Sequence, residues 1–163
     1  MGPFFLIDFQ KGGKMSFYYI SNPYNGTEEQ REERALLAAK VCGELLKRDI
    51  HVWSPIVHNH ALMKTVDFSL EERRSLMLDF DFSLLRAARG MIVLEIDGWD
   101  RSFGVKAEID LCKELGKPVK YLHPDDLTDH ADPKLIFKDA PSTENTNESN
   151  IRRTQIKGLE AHA

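Results

Sequence analysis

The chain has 163 residues, which suits one domain of ordinary size with an additional tail. Its 42% hydrophobic and 29% charged content supports a packed core and excludes a wholly disordered chain. A net charge of -4 provides no basic face for a nucleic-acid backbone, and no apolar run approaches the ~20 residues of a membrane span.

Cys42 and Cys112 stand apart, without metal-ligand spacing, in segments that look helical. Two isolated thiols point to a reducing, cytoplasmic setting. At the start, Phe4-Phe5-Leu6-Ile7 is broken by Asp8 and lacks a small-residue cleavage site, so it makes a poor signal peptide. Residues 1–14 read as an extension, or as a short extra strand, ahead of Met15.

The first convincing strand is Phe17-Tyr18-Tyr19-Ile20, closed by the turn formers Ser21 to Gly26. Thr27, followed by Glu28, Glu29 and Gln30, opens a helix that runs to about Lys47. His51-Val52-Trp53 is a short second strand. Residues 55–68 read as a loop over one edge of the sheet, and a helix covers roughly 70–88, stopped by Gly90. Met91-Ile92-Val93-Leu94 has the continuous apolar character of a central parallel strand. A loop over 97–102, a helix to about Leu115 ended by Gly116, and a strand over 118–122 complete the pattern.

Strands alternating with helices predict an α/β fold: a flavodoxin/Rossmann-like parallel sheet of four to five strands with helices on both faces. Such sheets take ligands at the carboxyl ends of their strands, where the loops at 21–26 and 97–104 should face each other. The domain is expected over 15–123, with 124–163 a polar, partly disordered tail. Within that tail, 134–137 reads as a small edge strand, 139–150 as a linker and 151–160 as a marginal helix.

Two carboxylates fall on apolar faces. At about 100° per residue, Val105, Ile109, Leu111, Cys112 and Leu115 form one stripe of their helix, and Glu108 belongs to it. On the preceding helix Asp79 lies with Ser83 and Arg86 on a polar face. Asp81 instead lies among Met77, Leu84, Leu85 and Ala88. A buried carboxylate is costly unless paired or hydrogen-bonded, so either acid is a catalytic candidate or a cap on a neighbouring loop.

The stretch Ser102-Phe103-Gly104-Val105-Lys106-Ala107-Glu108 reads S-x-G-x-x-x-E and joins an apolar strand to a helix. Together with Gly98-Trp99, Asp81 and Tyr19-Ile20-Ser21-Asn22-Pro23-Tyr24, it resembles the nucleoside 2-deoxyribosyltransferase superfamily over roughly 17–122. The resemblance extends to its nucleotide N-glycosidase relatives and looks closest to an uncharacterised phage and bacterial branch. It implies that Glu108 attacks the anomeric carbon, that Asp81 hydrogen-bonds or protonates the base, and that Tyr19 orients Glu108. It also implies that Ser102 and the Gly104 amide hold a phosphate or 5'-hydroxyl, with Ser21, Asn22, Asn25, Gly98 and Trp99 lining the substrate. Trp99 has two readings, as a packed edge residue or as a stacking platform for a base. The expected partner is a small nucleoside or nucleotide, bound by a homo-oligomer whose neighbouring subunit helps close the site.

No cofactor or metal is expected. His58 and His60 lie two apart without a third ligand. A non-catalytic module that binds or sequesters a nucleotide on the same fold is the alternative to an enzyme, and an interaction protein that uses the tail is a third reading.

Overall fold

The computed structural model describes residues 16–127 and Phe137. The expected extension at 1–14, the linker at 139–150 and the helix at 151–160 lie outside the described residues, as does the 134–137 strand apart from Phe137.

Four strands form one parallel sheet: β1 (Tyr18–Ser21), β2 (Val52–Trp53), β3 (Gly90–Leu94) and β4 (Val119–Leu122), in the order β2-β1-β3-β4. Tyr19 pairs with Met91 and Ser21 with Val93; Met91 and Val93 pair in turn with Val119 and Tyr121. The side-chain period of two then divides the core. Tyr19, Met91, Val93 and Tyr121 face one layer, with Leu85, Val105 and Cys112. Ile20, Ile92, Leu94 and Leu122 face the other, with Ala38, Val41 and Leu45. Helices therefore cover both faces, and the chain departs from β1 in one direction toward β2 and in the other toward β3. That reversal creates a crevice beyond the carboxyl ends of β1 and β3.

Helix α1 (Glu28–Lys47) starts as the sequence predicts. Thr27 and Gln30 form a reciprocal capping box, with Glu28 and Glu29 in the first turn. Its buried Val41 and Leu45 each contribute roughly 2 kcal/mol through apolar burial.

The expected loop over 55–68 is corrected in its first half, where α2 spans Pro55–Met63. The cause is local. Ser54 caps the helix by accepting from the Val57 amide at 3.3 Å, and Pro55 fits the first turn, where its missing N–H costs nothing.

The helix expected over 70–88 is a helical run in three parts. These are α3 (Leu70–Glu72), a π-helical stretch Arg73–Leu78 and α4 (Asp79–Ala87). Gly90 is not its stop. Ala88 leaves the helix with φ -63° and ψ 152°, and Gly90 opens β3. A Cβ at Gly90 would lie 2.8 Å from the Pro118 carbonyl oxygen, so glycine there permits close approach of β3 and β4.

Helix α5 (Phe103–Glu114) begins at Ser102 and closes through Gly116, whose φ of 62° is left-handed. Leu115, expected on the buried stripe, is 42% exposed at the C-cap, while Val105 and Cys112 are buried. No helix of the described residues is long and apolar enough to cross a membrane.

Candidate active site

Tyr19 and Ser21 are two apart on β1 and so point to the same face, toward α5. The Tyr19 hydroxyl donates to Glu108 Oε1 at 2.7 Å, and Ser21 Oγ donates to Oε2 at 2.5 Å. Both donors are fully buried, whereas Glu108 is half-buried. Glu108 is thus fixed through both oxygens while part of its side chain remains reachable. Burial pushes its carboxyl up to about 7, against the opposing pull of the Ser21 and Tyr19 hydrogen bonds, and the nearby charge of Asp81 adds to the rise. Burial also drives the Tyr19 phenol upward, helped by the charge of Glu108, so Tyr19 acts as a neutral donor.

Asp81 lies on α4 and is 8% exposed. Its Oδ2 accepts from Asn59 Nδ2 at 2.8 Å, while its buried Oδ1 has no hydrogen-bond partner. Asn59 Oδ1 in turn lies 3.1 Å from His58 Nδ1. Because Oδ2 is already an acceptor, a proton on Asp81 belongs on Oδ1. Burial raises the Asp81 carboxyl to about 6, opposed by the Asn59 bond and by His58. Trp53 links the two halves of the site, with its ring 5.8 Å from that of Tyr19 and 5.7 Å from His58.

A cavity of about 480 Å³ opens beside Asp81, between the start of α1, α2 and the π-helical stretch. Tyr24, Asn25, Asn59, His60 and Met77 contribute to its lining. Glu108, Tyr19 and Ser21 do not line it. That volume suits a small organic ligand.

The remaining sequence-predicted residues lie in the segments that follow β1 and β3. Asn22 is buried, with Nδ2 donating to the Pro23 carbonyl at 3.1 Å and Oδ1 unpartnered. Asn25 is exposed, and its carbonyl accepts from Arg34 Nη1. Arg34 Nη2 reaches the Asp97 carbonyl at 3.4 Å, which ties together the two loops expected to face each other. Gly98 adopts a left-handed φ of 85°. Trp99 packs on Tyr121 with ring centroids 5.3 Å apart. Ser102 caps α5, accepting from the Val105 amide at 3.4 Å, and Gly104 is exposed beside it. The amides of this first turn offer an anion-binding end.

Sequence reasoning missed Asn59, because 55–68 was read as a loop. Ser54-Pro55 was the signal that could have placed it on a helix. His58 and His60 serve hydrogen bonds: His58 contacts Asn59, while His60 contacts Tyr24 and Glu32. Among the described residues no group of three His, Cys, Asp or Glu side chains is placed to hold a metal ion.

The sequence model of a family described as a domain of unknown function (DUF1937) matches residues 16–123. No curated protein matches the chain. Among solved structures, a 2-deoxyribosyltransferase from the psychrotolerant bacterium Bacillus psychrosaccharolyticus is similar, with a TM-score of 0.50 and 21% identity. The similarity covers 74% of this chain and 80% of that one, and it is a likeness of fold.

Proposed function

The chain belongs to the DUF1937 family, and from the geometry of its site we propose that it cleaves the N-glycosidic bond of a nucleoside or nucleotide, with Glu108 as nucleophile. One observation carries this reading. A half-buried carboxylate held through both oxygens by Tyr19 and Ser21 lies near enough to a second buried acid to feel its charge, and one oxygen of that second acid is unpartnered. A fold shared with a 2-deoxyribosyltransferase supports it further.

In this mechanism Glu108 attacks the anomeric carbon through an oxocarbenium-like transition state and forms a glycosyl ester. The electron pair of the C1'–N bond leaves with the base, which takes the proton from Asp81 Oδ1. Water, or a second base, then attacks the same carbon and frees the Glu108 carboxylate, while Asp81 recovers a proton from the attacking group. Tyr19 and Ser21 hold Glu108 in line, and the α5 N-terminus receives the 5' end of the sugar. Hydrolysis and base transfer differ only in the second nucleophile.

The test is base release from a panel of nucleosides and 5'-monophosphates, followed by chromatography, with wild-type protein and with Glu108→Gln. Release by the wild type and its loss in the variant are expected. Release that persists in Glu108→Gln, or none from any substrate, rejects the mechanism. Ligand-induced thermal stabilisation without release would identify a binding module instead.

A further inference from the structure

The cavity beside Asp81 is lined by acidic and by cationic side chains. Arg31 and Arg73 both line it, from α1 and from the π-helical stretch. Lys64 lines it too, but it is paired with Glu32, which also accepts from His60. Among the described residues neither Arg31 nor Arg73 has a carboxylate within ion-pair distance, although Glu28 shares the cavity wall. Among the described residues the Arg31 side chain donates only to the Gly26 carbonyl, at 3.3 Å. The charges of Arg31, Arg73 and Lys64 all bear on the Tyr24 hydroxyl, against that of Glu32, and all four residues Tyr24, Arg31, Lys64 and Arg73 line the same cavity.

We infer that this cavity is the leaving-group pocket, and that Arg31 and Arg73 make it select a base carrying an anionic ring substituent such as a carboxylate. The inference rests on the glycosidic reading, because that reading puts the sugar at Glu108 and the base at Asp81. The cavity includes Asp81 but neither Glu108 nor the α5 N-terminus, so it extends away from the sugar. A ring seated beside Asp81 would direct a substituent on its far edge at two guanidinium groups. These bind carboxylates through paired, charge-assisted hydrogen bonds.

Free bases test the pocket without catalysis. Orotate against uracil, and nicotinate against nicotinamide, are titrated calorimetrically into Glu108→Gln protein at low salt. The anionic member of each pair is expected to bind about tenfold tighter, an advantage that shrinks as salt is raised. Substituting both Arg31→Gln and Arg73→Gln, with folding checked by melting temperature, should reduce that preference to about threefold or less. Equal binding, no binding of either base, or a preference that survives the double substitution overturns the inference. A 5'-monophosphate of a neutral base that gains affinity over its nucleoside through these two arginines also overturns it, by placing the sugar phosphate here. Cleavage is scored separately on the matching glycosides. Cleavage without charge preference sinks only the pocket assignment, whereas charge preference without cleavage of any glycoside sinks the glycosidic reading.

Discussion

Tyr19 and Glu108 stand 89 residues apart in the chain and meet through a 2.7 Å hydrogen bond from the phenol to the carboxylate. The bond joins β1 to α5 across one face of the sheet, so the strand register and the helix phase jointly set the position of the acid. Ser21 adds the second bond from the same strand face. Two rigid elements, rather than a loop, therefore orient the candidate nucleophile.

Tyr19→Phe keeps the buried ring and removes one donor. Base release should fall about 10- to 100-fold in kcat/KM, with the melting transition retained. The Tyr19 bond favours ionised Glu108, the higher of the two acids, so its loss should also move the basic limb of the pH profile upward. Steady-state rates across pH check both effects. An unchanged basic limb would mean that the phenol does not hold the reactive carboxylate.

The two acids give the activity a narrow pH window. Glu108 stands at about 7 and Asp81 at about 6, and they interact, so the protons belong to the pair. The productive form carries one proton, on Asp81, and one charge, on Glu108; because Glu108 is the weaker acid, this is the minor of the two singly protonated forms. Below about 6 both acids are neutral and the nucleophile is lost; above about 7 both are ionised and the proton for the base is lost. A plot of kcat/KM against pH should therefore peak between about 6 and 7 and decline on both sides. A profile that only rises to a plateau would remove Asp81 as the acid.

The same shift bears on stability. The Glu108 carboxyl is raised from 4.5 to about 7 on folding, so the folded state binds its proton more tightly than the unfolded chain does. Its favourable contribution is complete below about 4.5 and is lost as pH rises through about 7. Glu108→Gln cannot ionise and escapes that loss. Relative to the wild type, the variant should gain roughly 1–3 kcal/mol between pH 5 and pH 8. Urea denaturation at the two pH values measures the difference, and a constant difference would show that Glu108 is not destabilised by ionisation.

The sequence showed most of what positions Glu108 and much less of what surrounds Asp81. Alternating Tyr19 and Ser21, the apolar strand at 91–94 and the stripe through Val105 and Cys112 are periodic signals, and they place strand, helix and acid together. Asp81 was also legible as an acid on an apolar arc, because Leu84, Leu85 and Ala88 keep their phase with it through α4 and its C-cap. The π-helical stretch just before it was not legible. No residue from Arg73 to Leu78 is buried, so no apolar period marks how that segment winds. Asn59 was hidden for another reason. Its helix is nine residues long and starts at Ser54-Pro55, which also reads as the close of a strand. The convergence of Arg31 and Arg73 is a tertiary fact, built from two helices 42 positions apart in sequence, and no local pattern announces it.

Asn59 offers the sharpest test of that hidden part. Its amide is the one hydrogen-bond donor that Asp81 has among the described residues, and it occupies Oδ2. Asn59→Ala leaves both carboxylate oxygens of a buried acid unpartnered, which should cost about 1–3 kcal/mol at neutral pH. The Asn59 bond pulls the Asp81 carboxyl, the lower of the two acids, down, so its loss should raise it toward Glu108 and move the acid limb of the activity profile to higher pH. The proton would no longer be confined to Oδ1, so kcat should fall although Asp81 stays protonated over a wider range. A drop in kcat together with an upward-shifted acid limb separates this positioning role from simple loss of folded protein, which would lower the rate at every pH alike.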